Sequence, residues 1–245
     1  MVNSHIVISV PFMAKETDQA KEVQRDHREY CYVCYRVKKN CLCGSVKPFS
    51  TQMRFVILMH TKEAKKEKTG TARLARLCLK NAELLIGTDF SRDERVNALL
   101  RDPAYFPVLL YPGPQAVNFE THGSFLRPEG KTLLVFVADG TWDSVRRLLF
   151  KSRNIQALPR LSFSRSYNSR FIIKKQPGQG YISTIEAIYY LCGEAEAAGY
   201  ENLKAQSENL MVLFKKMVDT QLHYQEKVHQ VRYLDPKTKR KKKVS

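Results

Sequence analysis

The chain has no long apolar run, few acidic residues and a single tryptophan, and each shortage excludes something. A bilayer-spanning helix needs about 20 consecutive apolar residues, and the apolar runs among the 245 residues are all shorter. The opening "HIVISVPFMA" is apolar, but it lacks a basic leader and contains Pro11, so a cleaved signal peptide is not expected. The expectation is an intracellular, cytoplasmic protein with no membrane partner. Asp and Glu number 24 against 41 Lys and Arg, a net charge of +17. Such an excess can serve solubility, but more often it marks a polyanionic partner, with nucleic acid ahead of an anionic membrane. No internal repeat is visible, and a 43% apolar content suffices for one large domain with small appendages.

The apolar runs that are present alternate between strand-like and helix-like patterns. Residues 14–30 are polar and helix-compatible, an arm or surface helix. "RFVILMH" (Arg54 to His60) reads as a buried strand, and "TARLARLCLKNAELLIG" as one helix stopped by Gly87. "FPVLLYPGP" is a strand ended by its Pro-Gly-Pro turn, and "KTLLVFVADG" is the strongest buried strand. "TWDSVRRLLFKSR" is a helix with Val145, Leu148 and Leu149 on one face, and "FIIK" suggests a further strand. "STIEAIYYLCGEAEAAG" opens with a capping box, Ser183 and Glu186, and stops at Gly199. A last helix is expected from Glu201 to about Gln225, before the basic tail "PKTKRKKKVS". Alternating strands and helices give an α/β class with a mostly parallel sheet. The expected divisions are an arm over 1–30, a cysteine knuckle over 31–50, a main domain over 51–232 and a tail over 233–245.

Cys31, Cys34, Cys41 and Cys43 form C-x2-C-x6-C-x-C. Four thiolates this close can wrap one tetrahedral ion. Zinc suits all-sulfur coordination, an iron–sulfur cluster is the chemical alternative, and a metal-free segment is the third reading. Four protein ligands leave no open position, so a metal here is structural. Cys78 and Cys192 stand singly in apolar helices and read as core. Lys38, Lys39 and Lys47 could bring the knuckle against phosphate.

Asp139 ends the strongest strand, and a helix starts almost at once with Trp142. Ligands of open α/β sheets bind outside the carboxyl ends of the strands. Against that, Asp139 or Thr141 could cap the helix and Trp142 could anchor the core. "LLYPGP" and "GYISTIEA" are two more junctions of the same type. If their strands are neighbours, the three loops converge on one pocket whose helix N-termini favour an anionic group.

In these segments the chain resembles the DTW-domain family, the tRNA-uridine aminocarboxypropyltransferases. The resemblance lies in "DGTW" (Asp139 to Trp142), the leading C-x2-C-x6-C-x-C, "LLYPG" (Leu109 to Gly113) and "STIEA" (Ser183 to Ala187), in the family's order. One departure is visible. The family pattern H-P-x-E followed by T-N-T reads here His60-Thr61-Lys62-Glu63 and then Thr69-Gly70-Thr71, so a side-chain contact from position 70 is not available.

The resemblance implies a SPOUT-like, knotted fold, S-adenosylmethionine as co-substrate, and transfer of its 3-amino-3-carboxypropyl group to N3 of a tRNA uridine with release of methylthioadenosine. It also implies site residues. Leu110, Tyr111, Pro112 and Gly113, with Asp139, Gly140 and Thr141, would hold the cofactor. Ser183 and Thr184 would bind its aminocarboxypropyl end, with Thr71 a weaker candidate. Glu186 would hold the ammonium unless the capping box consumes it. Asp139 is the candidate base. An aspartate at its ordinary pKa of about 3.9 is feeble toward a uridine N3 proton, so either burial raises it or it accepts a hydrogen bond and orients the base. Trp142 would stack on the uracil or wall the adenosine. Arg146, Arg147, Arg165, Arg170, Lys174 and Lys175, with Arg160 and the tail, would follow the tRNA. A SPOUT-like methyltransferase, a non-catalytic zinc-bearing RNA-binding protein, and a related enzyme acting on ribosomal RNA are the competing readings. A monomer is expected.

Overall fold

Six of the seven residues of β1 (Arg54–His60) are buried. Phe55, Ile57 and Met59 belong to one apolar cluster, and Val56 and Leu58 to another. The same alternation runs through β4 (Thr132–Asp139), where Leu133, Val135 and Val137 face the first cluster and Leu134 and Phe136 the second. Strands apolar on both faces belong inside a parallel sheet covered by helices on both sides. In the computed structural model, which describes residues 29–66, 70–123, 125–126, 128–173, 178 and 180–234, they lie side by side in that way.

β2 (Ala82–Gly87) flanks β1, β3 (Tyr105–Leu110) flanks β4, and the two-residue β5 (Arg160–Leu161) lies beyond β3. The order is β2-β1-β4-β3-β5, with every pairing parallel. All strand carboxyl ends therefore share one edge. Met59 pairs with Asp139, and Leu110 with Val137.

α2 (Thr71–Cys78), α7 (Thr184–Ala197) and α8 (Glu208–Leu234) pack on one another over one face of the sheet. α3 (Glu94–Arg101), α5 (Trp142–Lys151) and α6 (Arg153–Gln156) cover the other with Val96, Val145, Leu148, Leu149 and Ile155. Two short helices, α1 (Thr61–Lys66) and α4 (Phe119–His122), follow β1 and β3. Among the described residues no helix is long and apolar enough to cross a membrane.

Three expectations change. The stretch read as one helix to Gly87 is α2 followed by β2: Leu79 bridges to Phe49, and Asn81 donates to the carbonyls of Thr51 and Met53, so the helix stops at Cys78. A short apolar run fits both periods, and the Lys80-Asn81 turn decides between them. "FIIK" is no strand over Phe171–Ile173. The N–H of Arg170 goes to Glu186 and that of Phe171 to Ser169, while Phe171 packs on Phe214. The last helix starts at Glu208, because Glu201 is held elsewhere and Lys204 and Ala205 take φ of 46° and 62°, outside the helical region. The arm expected over 14–30 falls, except for its last two residues, outside the described residues, as do Thr69, Lys174, Lys175 and the tail from 235.

Glu201 is buried, and its two oxygens accept from the backbone N–H groups of Gln52 and Met53, both at 2.9 Å, at the entry to β1. Glu201→Ala leaves the buried Met53 N–H and the partly buried Gln52 N–H without their acceptor. A loss of about 2–4 kcal/mol is expected, measured as a lower urea midpoint; an unchanged midpoint contradicts this role.

Candidate functional site

At the common carboxyl edge, the segments leaving β3, β4 and β5 meet the start of α7 around a cleft with a cavity volume of ≈ 270 Å³. Leu110, Val137, Ala138, Gly140 and Leu161 line it from the strand ends. Tyr111, Pro112 and Trp142 come from the next residues along. Ser162, Phe163, Arg165, Ser166 and Tyr167 come from the segment after β5, and Gly180, Ile182, Thr184 and Ala187 from the approach to α7 and its first turn. The lining is mainly apolar and aromatic with a few convergent polar groups, the usual make-up of a small-molecule site. Among the described residues Arg165 is the one charged residue lining it.

Trp142 is the hinge of the aromatic wall. Its ring centroid lies 5.8 Å from Tyr111 and 4.8 Å from Tyr181, the latter edge-on. Arg160 sits 5.5 Å from the centre of the Tyr111 ring and donates to the Pro112 carbonyl at 3.3 Å. Gly113 makes that packing possible, since a Cβ there would meet Arg160 Nη1 at 2.5 Å. Trp142 can take its place because Thr141 starts α5, accepting from the Ser144 N–H at 3.3 Å. The Thr141 N–H itself donates to Glu63 Oε1 at 3.3 Å. His60, at the end of β1, is buried beside Gly140. Burial, with the nearby Lys62, holds its imidazole below the ordinary histidine range.

Asp139 is 8% exposed, and its Oδ1 accepts the Thr184 hydroxyl at 2.5 Å. Thr184 lines the cleft, and Asp139 meets the cleft behind it. Ser183 and Glu186 form the capping box. The Glu186 carboxylate is fully buried and accepts from the Ser183 N–H, the Ser183 and Ser169 hydroxyls and the Arg170 N–H. Two turns along α7, Glu194 accepts from the Ser164 N–H at 3.1 and 3.0 Å and from the Tyr167 hydroxyl at 2.9 Å. Burial and that last bond push the Tyr167 hydroxyl up to about 12. The segment between β5 and α7, which has no helix or strand among its described residues, is thus held by two carboxylates of one helix.

The four cysteines of the N-terminal segment come together away from the cleft. The Sγ atoms of Cys31 and Cys43 lie 3.7 Å apart, as do those of Cys34 and Cys41, and all four fall within 4.8 Å of one another. Metal–sulfur bonds of about 2.3 Å place tetrahedral thiolates about 3.8 Å apart, so one tetrahedral ion fits these residues. Hydrogen bonds from the backbone N–H groups of Cys34 and Val33 bring the Cys31 thiol down to about 6, while burial pushes Cys43 up. The buried Arg36 lies where it can offset thiolate charge.

Of the residues expected from sequence, Leu110, Tyr111, Pro112, Gly140, Trp142, Thr184 and Arg165 line one cleft. Gly113 and Thr141 adjoin lining residues in sequence, Asp139 is bonded to the lining Thr184, and Ser183 and Glu186 fix the α7 side. Thr71 is buried at the start of α2. Arg146 and Arg147 are exposed on α5, Arg146 paired with Asp143. Arg170 is exposed on the segment that Glu186 holds. Sequence reasoning missed Phe163, Tyr167, Glu63 and Glu194. "SFSRSYNSR" gave a signal only as a polar, aromatic-dotted stretch after β5, and nothing local marks a glutamate in mid-helix as buried.

Curated relatives point to one activity name. A mouse (Mus musculus) tRNA-uridine aminocarboxypropyltransferase 2 is 28% identical over 167 residues, 66% of this chain and 54% of the relative. The Macaca fascicularis protein of that name is 27% identical over 65% of this chain and 54% of its own. The Drosophila melanogaster one is 26% identical over 66% and 64%. The chain thus spans from about half to just under two thirds of the length of these relatives. No solved structure matches. The DTW domain model matches residues 28–222, which include the knuckle, the sheet and the whole cleft, and the chain therefore belongs to the DTW-domain family.

Proposed function

We propose that the chain is a tRNA-uridine aminocarboxypropyltransferase that takes the 3-amino-3-carboxypropyl group from S-adenosylmethionine to N3 of a tRNA uridine. The observation that carries this reading is the convergence of the "LLYPG", "DGTW" and "STIEA" segments on a single cleft. The printed names of the relatives favour it too. The same reading takes the chain path as SPOUT-like and knotted, on the strength of the family resemblance.

In the transfer a bond forms between N3 and the carbon γ to the carboxylate, the bond from that carbon to sulfur breaks, and its electron pair stays on sulfur. Methylthioadenosine leaves as a neutral thioether, and the N3 proton is lost late, to water, once the new bond has made it acidic. Charge disperses as the sulfonium collapses, so an apolar aromatic cleft suits the step, and the protein's task is to hold the carbon against the nucleophile. Tyr111 and Trp142 offer flat faces for adenine or uracil. Arg165 and the Thr184 end of the 14-residue α7 can hold the donor's carboxylate. Asp139 acts as an orienting acceptor: the hydroxyl it receives from Thr184 fixes both groups beside the reacting atoms. Glu186 serves here as a positioning residue, since the capping box, the Ser169 hydroxyl and the Arg170 N–H occupy its carboxylate. Arg146, Arg147 and Arg170, with Lys174 and Lys175, lead the tRNA backbone to the cleft by salt-sensitive contacts.

Zinc is the ion proposed for the four cysteines, where it fixes a segment that has little core of its own. Metal analysis of the purified chain is expected to return one zinc per chain, lost in Cys34→Ser with a lower melting midpoint. A zinc-free wild-type chain, or the visible absorbance of an iron–sulfur cluster, contradicts this.

Unmodified tRNA and donor labelled in its aminocarboxypropyl chain test the activity. Label in a uridine together with methylthioadenosine is expected. S-adenosylhomocysteine as product would make the chain a methyltransferase, and tRNA binding without any label a non-catalytic RNA-binding protein. Asp139→Ala is expected to keep donor and tRNA binding within a few-fold while kcat falls about 100-fold or more. Near-normal turnover in that variant removes Asp139 from the mechanism.

A further inference from the structure

The cysteine segment carries exposed side chains that neither the metal nor the cleft accounts for. Tyr32 is 88% exposed, Val33 60% and Tyr35 57%. Apolar residues scattered singly on a surface are ordinary, but a contiguous group on a segment held by four sulfurs is not. Tyr35 adds a second observation. Its φ of 57° lies in the left-handed region, where glycine or asparagine is at ease and a bulky ring is not. The turn alone does not favour tyrosine, so the ring's own contacts must account for it. One face receives the Arg73 guanidinium, 4.0 Å from its centre.

The charge around these rings is mainly positive, with Glu29 paired to Lys38 at 2.8 Å. Between Glu29 and Glu63 the chain carries no acidic residue and six basic ones. Lys39, Lys47 and the nearby Arg76 are exposed. The position is also informative. Arg73 lies in the first turn of α2, which begins where the chain returns from the carboxyl end of β1. Tyr35 is therefore at the same edge of the sheet as the cleft, and α2 packs on α7, whose first residue lines that cleft.

We infer that Tyr32 and the stacked Tyr35–Arg73 pair form a platform for unpaired bases of the RNA whose uridine enters the cleft. Aromatic faces take any base, and the flanking lysines take the backbone between bases. The inference rests on the RNA-directed reading above and adds to it a second contact region, one that favours single-stranded over paired RNA.

The test is equilibrium binding of the full chain to unmodified tRNA, a 15-nucleotide oligouridylate and a blunt RNA duplex of equal length. Base stacking of the usual strength predicts that Tyr32→Ala weakens tRNA and oligouridylate binding about 5-fold or more. Duplex binding stays within about twofold, and Tyr32→Phe, which keeps the ring, stays within about twofold on all three RNAs. Because Tyr32 is almost wholly exposed, metal content and melting midpoint are expected to match the wild type. Wild-type affinity of Tyr32→Ala for oligouridylate overturns the inference, as does an equal loss on the duplex. The two readings fail separately. A chain that transfers no label but binds tRNA through Tyr32 removes the enzymatic reading, whereas an active chain indifferent to Tyr32→Ala removes this one.

Discussion

The hydroxyl of Thr184 bonds to Asp139, and through that bond the end of the central strand and the first turn of α7 become one edge of the cleft. The rest of the site is built onto the same helix. Glu186 and Glu194, eight residues apart on α7, reach out to the backbone of a segment with no ladder of its own. Buried donors need acceptors, and a carboxylate with several lone-pair sites can satisfy a whole turn of irregular chain. Charge-assisted bonds of this sort contribute about 1.5–3 kcal/mol each. They do more than hold the loop in place: they set where Tyr167 and Arg165 line the cleft.

Charge is arranged on two scales. Within the cleft, among the described residues, one arginine stands in an apolar, aromatic lining, suited to a ligand with a flat ring and an anionic end. Over the whole chain the excess is +17, suited to a polyanion much larger than the cleft. The proposed chemistry needs both: a bent sulfonium donor held inside, and an RNA laid across the outside. Sequence-blind phosphate contacts cannot choose a uridine. Selection must come from shape and from bases out of the stack; the proposed knuckle platform holds such bases without telling them apart.

Much of this was legible before any coordinates. β1 and β4 announce themselves because they are apolar on both faces, and α5 because Val145, Leu148 and Leu149 fall on one side. The junction residues were legible because turn and cap chemistry is local: Pro112-Gly113, Thr141 at the start of α5, Ser183 with Glu186. What was not legible depends on contacts distant in sequence. Whether "AELLIG" is helix or strand is decided by pairing with β1, and "FIIK" follows a turn whose Ser169 and Arg170 are held by Glu186, with the Phe171 N–H given to Ser169. The acceptors Glu63 and Glu194 look like ordinary surface carboxylates until the fold brings the donors of Thr141, Ser164 and Tyr167 to them. For Glu186 the sequence left open an ammonium partner or a capping box, and the structure gives its oxygens four protein donors.

Because Trp142 is the only tryptophan, its emission reports on the cleft alone. Titrating the wild-type chain with S-adenosylmethionine, with binding followed in parallel by equilibrium dialysis, is expected to change Trp142 fluorescence saturably along the binding curve. Stoichiometric binding with unaltered emission would put the donor elsewhere and contradict the account.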